Sequence, residues 1–383
     1  MRSCAVLALA LLLFAAGSTP AVDREAATSA LLKGLVADGQ PGLAVLVRRS
    51  GRTVVERGYG VRDLRTRTPI DPRTRFRLAS MTKQMTAAAI MLLVHEGRLR
   101  YEDSLTEALP GFPLYGSGVT IRQLLTHTSG LPDYEQLMEN AEKDEGPIWT
   151  PERQIRDPEV LELLEKETRG LFPPGTSWAY SNSGYVLLGL VAARAAGKPF
   201  GDVLRDRIFA PLGMTQTLAY EKGRNEVADR AYGHTKEPAG FRETDQSSTS
   251  ATLGDGGVYS CLEDLAKWDE GLRTGALLSE AEMAPALTPV RLADGSEPRW
   301  PQGEQGGDNL FPGRPVAYGF GWFLDPWQGR KRAWHHGETR GFRSIVERFP
   351  ADGVTVVILA NRGDLDLKSL AQKIAEAELR DQR

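Results

Sequence analysis

Cysteine is nearly absent from this chain, whose 383 residues contain two, Cys4 and Cys261. Cys4 lies in a leading stretch expected to be removed, so Cys261 stands alone and no internal disulfide can form. Stability must then come from packing, and Cys261 reads as a small buried residue rather than a nucleophile. Histidine is also scarce: the five, at positions 95, 127, 234, 335 and 336, lack a helical or finger-type metal spacing. His335 and His336 are adjacent, so on a strand they would point to opposite faces and would not share a metal. There is no C-x-x-C, no H-E-x-x-H, no P-loop and no G-x-S-x-G elbow. No metal and no cofactor is expected. An excess of one charge is missing as well, with 47 Lys and Arg against 50 Asp and Glu and a net charge of -3. That balance predicts neither nucleic-acid nor membrane-surface binding.

The first residues read as an address. Arg2 gives a weakly basic start, Ala5 to Ala16 an apolar run of twelve, and Thr19-Pro20-Ala21 a small-residue cleavage site. Twelve residues are too few to span a bilayer as a helix. Residues 1–21 are therefore expected to be a signal peptide, and 22–383 a periplasmic or secreted chain with no membrane span. With 41% hydrophobic and 8% aromatic residues, that chain can build a sizeable core. Oligomeric state is not legible.

Three short motifs stand out, in the order Ser80-Met81-Thr82-Lys83, Tyr180-Ser181-Asn182 and His335-His336-Gly337. Ser80 is the only serine followed three residues later by a lysine, and it opens an apolar run, Gln84 to Val94, that reads as a helix. Positions i and i+3 share a helix face, so the Ser80 hydroxyl and Lys83 amine can meet. A serine hydroxyl is a weak nucleophile until a base takes its proton. Lys83 can be that base if burial or a neighbouring cation lowers its pKa from about 10.4. Taken singly, Ser-x-x-Lys is a chance event, Tyr180 a packed aromatic and Asn182 a turn residue beside Pro173, Pro174, Gly175 and Gly184.

Order and spacing together resemble the serine β-lactamase and penicillin-binding protein superfamily. The nearest match is its class C and esterase branch, with Tyr-x-Asn at Tyr180 and Asn182 and His-x-Gly at His335 and Gly337. Further stretches are similar: Pro41-Gly42-Leu43-Ala44-Val45, Leu124 to Pro132, Pro211-Leu212-Gly213-Met214, Asp255-Gly256-Gly257-Val258 and Tyr318-Gly319-Phe320-Gly321-Trp322. The resemblance implies that Ser80 is the acylated nucleophile, Lys83 its base or electrostatic partner and Tyr180 a proton shuttle. Asn182 would hold a substrate carbonyl or the lysine. His335 to Glu338 would form an edge strand along the cleft, with the N–H groups of Ser80 and Glu338 as oxyanion hole. Asn182, His336 and Arg340 would contact substrate. His335 stands where true β-lactamases carry lysine, so a cation is expected there only when histidine is protonated. Arg340 either neutralises Glu338 or recognises a substrate carboxylate. His127 reads as a structural, hydrogen-bonded residue.

Coarse periodicity predicts a first helix over Asp23 to Val36 and a hairpin of Ala44 to Arg49 with Thr53 to Arg62, turning at Ser50-Gly51. Helices follow over Met85 to Gly97 and Gly184 to Gly197. Strands are expected at Gly319 to Leu324, Lys331 to His335, Phe342 to Phe349 and Val354 to Asn361, then a helix from Leu365 to Leu379. The class is α/β (α+β), a β-lactamase/transpeptidase-like fold. One lobe comes from about 22–79 and 250–383 around an antiparallel sheet, and a mostly helical lobe from about 80–249. Residues 140–157 and 288–316 read as cleft loops or surface insertions, and Trp178, Tyr185 and Trp334 as an apolar pocket or core. The expected activity is acyl transfer by a secreted serine hydrolase on a small ester, amide or D-amino-acid peptide. Alternatives are a weak class C β-lactamase and a non-catalytic protein that binds peptidoglycan peptides.

Overall fold

The computed structural model describes residues 24–302 and 311–380. The expected signal peptide falls outside them. Five strands make the main sheet: β1 Leu43–Arg49, β2 Arg52–Tyr59, β3 Ala333–Thr339, β4 Phe342–Phe349 and β5 Val354–Ala360. Their spatial order is β3-β4-β5-β1-β2, with every neighbouring pair antiparallel. Strands from the two ends of the chain meet where Leu43 faces Ala360 and Arg49 faces Val354.

The alternation of β1 explains why the sheet carries a layer on each face. Leu43, Val45 and Val47 pack with Leu32, Ala371, Ile374 and Leu379, from the helices Arg24–Leu32 and Leu367–Leu379. Ala44 and Leu46 point the other way, into the larger core around the helices Lys83–His95 and Asn182–Ala196. The Lys83–His95 helix is buried from Lys83 through Leu93, as an all-round apolar helix must be. Between the helical segments, a small hairpin, His234–Glu237 with Gly240–Glu243, hydrogen-bonds back to the sheet side through His234 N to Asn361 O at 3.0 Å.

The first hairpin strand, the two apolar helices, β4, β5 and the closing helix form within two residues of their expected ends, whereas the second hairpin strand stops at Tyr59, three residues before the expected Arg62. Gly319 to Leu324 forms no strand and meets the sheet only at Phe323, whose N donates to Trp334 O of β3 at 2.8 Å and whose O accepts from Trp334 N at 2.9 Å. It turns on itself, Gly319 N donating to Trp322 O at 2.8 Å, because Gly321 adopts φ +77°. That glycine allows the turn to lie against the start of the Lys83 helix, where a Cβ would sit 2.8 Å from Lys83 O. Residues 140–157 are not an open cleft loop either. The helix Tyr134–Glu145 takes the first of them, and Trp149 is buried in the large core with Nε1 donating to Glu159 at 3.3 Å. Trp178, Tyr185 and Trp334 are core residues; none lines the cleft.

Candidate active site

Ser80 sits on a short 3-10 turn, Ala79–Thr82, that runs directly into the Lys83–His95 helix. Ala79 adopts φ +48°, an uncommon conformation for a residue with a Cβ, and strain of this kind gathers at functional sites. The turn is tied down on both sides: Leu78 N donates to Val258 O at 2.9 Å, and Val258 N to Thr82 Oγ1 at 3.2 Å. On the sheet side, edge strand β3 presses against it. A Cβ on Gly337 would lie 2.1 Å from Leu78 O and 3.0 Å from Ser80 N, so only glycine lets β3 come alongside the Ser80 N–H.

Lys83 is fully buried, and its Nζ meets Ser80 Oγ at 3.0 Å, Asn182 Oδ1 at 2.8 Å and Asp255 O at 3.0 Å. An amide oxygen and a backbone carbonyl can only accept. Two N–H bonds of the amine are therefore committed, and in the neutral amine the lone pair faces the Ser80 hydroxyl. The Tyr180 ring lies 4.9 Å from the same Nζ, and Tyr180 lines the cleft with Ser80 and Asn182.

The second motif is held from its backbone. Asn182 opens the Asn182–Ala196 helix, where Ser181 Oγ accepts from Gly184 N. Asn182 N donates to Asp133 Oδ2 at 2.6 Å, and Ser181 N to His127 Nδ1 at 3.1 Å. Burial raises the Asp133 carboxyl to about 6, offset in part by the N–H groups of Asn182 and Glu135. His127 is buried against Tyr180, Tyr185 and Tyr318, and burial, then the nearness of Lys83, pushes its pKa well below the usual histidine range. It is a neutral acceptor that orients the turn leading into the Asn182–Ala196 helix.

The third motif departs from expectation. His335 is fully buried and outside the cleft lining. Its Nδ1 donates to His336 O at 2.6 Å, so Nε2 is the acceptor for the Tyr318 hydroxyl at 3.1 Å. Burial, then the nearness of His336 and Lys83, holds its pKa well below the usual range. His335 is thus a neutral strut, and the cation expected from its protonation is not available. His336 does not reach the cleft; it lines a neighbouring hollow with Phe311, Leu365 and Lys368. Glu338 and Arg340 do line the cleft, but the pairing expected between them does not form. Glu338 pairs with Arg343 at 3.3 Å.

The cleft measures about 440 Å³. Arg77, Tyr134 and Asp255, none of them singled out in the sequence for a role, also line it. Asp255 is 6% exposed, with Oδ2 accepting from Tyr134 OH at 3.1 Å and Oδ1 unpartnered. Its only signal in the sequence was its place in Asp255-Gly256-Gly257-Val258. Cys261 is buried, and burial pushes its thiol up to about 12, which removes it as a nucleophile. Among the described residues no helix is long and apolar enough to cross a membrane.

The comparisons agree with this geometry. The sequence profile of the family described as Beta-lactamase matches residues 28–379, and the chain belongs to that family. It is a serine acyl-transfer hydrolase with the β-lactamase and penicillin-binding protein fold. It is 31% identical over 348 residues to penicillin-binding protein 4* of Bacillus subtilis, covering 87% of this chain and 71% of the relative. Against a D-aminopeptidase of Cereibacter sphaeroides the identity is 28%, over 84% of this chain and 57% of that protein. The D-amino acid amidase of Ochrobactrum anthropi SV3, solved with L-phenylalanine amide, superposes with a TM-score of 0.76 at 25% identity, covering 94% of this chain and all of the other.

Proposed function

We propose that this protein cleaves amide or ester bonds in small D-amino-acid-containing substrates through an acyl-enzyme on Ser80. The placement of Lys83 Nζ between Ser80 Oγ and two obligate acceptors carries the reading. In the forward step Lys83 takes the Ser80 proton, Oγ bonds to the substrate carbonyl carbon, and the oxyanion is held by the N–H groups of Ser80 and Glu338. The tetrahedral intermediate collapses, the bond to the leaving amine or alcohol breaks, and the departing group takes a proton delivered through Lys83 and Tyr180. Water then attacks the acyl carbon, loses its proton to the same pair, and releases the acid and Ser80. The names of the relatives, an aminopeptidase and an amidase of D-amino acids, support the amide and the D configuration. Buried and neutral, His335 supplies no cation at the position where β-lactamases carry lysine, and on that ground β-lactam hydrolysis ranks below amide and ester cleavage.

The first 21 residues support export to the periplasm or medium, which the mass of the mature N-terminus in each fraction tests. For the chemistry, kcat/KM is measured for a D-amino acid amide, a short p-nitrophenyl ester and a chromogenic cephalosporin, with Ser80→Ala as blank. Amide and ester turnover that vanishes with Ser80 is the expected result. Turnover surviving Ser80→Ala overturns the nucleophile. No turnover with any of the three leaves the reading of a pure binding protein.

A further inference from the structure

The two acceptors that fix Lys83 are themselves held by two consecutive residues. Asn182 presents Oδ1 to Lys83 Nζ, and its backbone N donates to Asp133 Oδ2 at 2.6 Å. Asp255 presents its carbonyl to the same Nζ, and its side-chain Oδ2 accepts from the Tyr134 hydroxyl at 3.1 Å. Asp133 and Tyr134 are the cap and first residue of the helix Tyr134–Glu145, and both are buried. Asp133 Oδ1 accepts from Glu135 N at 3.1 Å, so the carboxylate cannot swing away from Asn182 without giving up its own helix cap. Burial keeps the Tyr134 phenol well above its ordinary range, so it remains a hydroxyl and a donor. Six residues before Asp133, His127 Nδ1 accepts from Ser181 N at 3.1 Å, which ties the same segment to the residue preceding Asn182.

We infer that Asp133 and Tyr134 are positioning residues for acyl transfer, a two-pronged support that sets where the Lys83 amine points by holding Asn182 and Asp255. The inference rests on Lys83 as the base that activates Ser80, and it deepens that reading. An amine with two fixed acceptors keeps one direction for the Ser80 hydroxyl. Release of either acceptor lets Nζ drift, and misplacement by about 1 Å costs about 10²-fold in rate. The two prongs are unequal. The backbone on either side of Asp255 has further ties to the Ser80 turn and its helix, Thr86 Oγ1 to Gly254 O at 2.6 Å and Val258 N to Thr82 Oγ1 at 3.2 Å. The Asn182 N–H rests on the Asp133 carboxylate, so loss of that carboxylate is the larger effect.

The test is the rate at which a fluorophosphonate labels Ser80 at pH 8, where Asp133, raised by burial to about 6, is ionised. Such labelling does not depend on the identity of the substrate. Asp133→Asn is expected to slow it about 10²-fold and Tyr134→Phe about tenfold, with thermal unfolding measured to show that each variant folds. The deciding comparison repeats both substitutions in the Lys83→Ala protein. A residue that acts through Lys83 has nothing left to position there, so both added losses are expected to vanish. A loss of equal size in both backgrounds, or no loss with Lys83 present, overturns the role of the residue concerned. If Asp133→Asn does not fold, Tyr134→Phe decides by the same comparison. A parent protein that is not labelled, or is labelled as fast without Lys83, removes the reading of Lys83 as base. That result is distinct from labelling that needs Lys83 and ignores Asp133 and Tyr134, which overturns the positioning inference alone.

Discussion

Asp269 and Arg77 are both buried ionic side chains, and the fold treats them in opposite ways. Asp269, on the helix Leu262–Thr274, receives Arg48 Nη1 at 2.7 Å on one oxygen, and Arg348 Nε and Thr355 Oγ1, each at 2.8 Å, on the other. Those partners come from β1, β4 and β5, so the group clamps a helix to the sheet and both carboxylate oxygens are engaged. Arg77 and Asp255 instead line the cleft with donors or an oxygen left over, and Asp157, at a neighbouring hollow, retains its proton. Charge that is fully paired inside the molecule holds elements together. Charge left open beside a nucleophile is arranged for something that arrives.

The largest break of this contrast is on the cleft side. Lys83→Ala removes the group that faces the Ser80 proton and is expected to cut acylation by about 10³-fold, read as kcat/KM for a p-nitrophenyl ester beside covalent labelling of Ser80. Near-normal labelling would remove Lys83 from its role. On the structural side, Asp269→Ala leaves Arg348 buried without a carboxylate and Arg48 with Glu270 alone, and is expected to cost about 3–5 kcal/mol by denaturant unfolding. The folded fraction should still label at Ser80; a loss of labelling larger than the loss of fold would erase the distinction between the two kinds of site.

Asp157 sharpens the comparison further. Burial raises its carboxyl to about 8, while the unfolded chain releases that proton near the ordinary value of about 3.9. The native state therefore holds the extra proton between the two values, and the group's contribution to stability falls as pH rises from about 4 to 8. The limiting slope is about 1.4 kcal/mol per pH unit. Asp157→Asn keeps an oxygen for Leu253 N, which donates to it at 3.0 Å, and should flatten the dependence of unfolding free energy on pH across that window. An unchanged slope would mean the proton is not held there. The smallest effect is expected at His335: being neutral throughout the working range, it should leave no break in the pH profile of kcat/KM between 5 and 8. His335→Gln should then keep the profile's shape, whatever it does to the rate; a shifted acid limb in the parent would show that the ring does titrate.

Much of this site was legible because its chemistry is local. Ser80 and Lys83 are one turn apart, and Tyr180 and Asn182 flank a helix start whose cap, Ser181, lies between them. The sheet was legible where hydrophobic alternation was strong, as in β1, β4 and β5. What escaped the sequence depends on where distant loops are brought. Nothing in the residues around Asp255 announces that its carbonyl meets Lys83, or that Asp133 receives Asn182, because both contacts join segments far apart in the chain. The charge of His335 escaped for the same reason: its neighbours Tyr318 and Tyr180 arrive from elsewhere, and their burial removes the water that a charged ring would need. Gly319 to Leu324 has strand composition, yet its glycine geometry and the helix it abuts decide against one.

The order of strands in the sheet also sets when the enzyme can first work. β1 is made early and its partner β5 late, and the glycine that abuts the Ser80 N–H sits in β3, which also comes from the late part of the chain. At about 5–20 residues added per second, a ribosome takes many seconds between displaying the nucleophile and supplying the strand that completes the wall beside it. A partly synthesised chain thus carries Ser80 and Lys83 without the strand proposed to complete the oxyanion site, and any product truncated before β3 is expected to be inert as well as unstable.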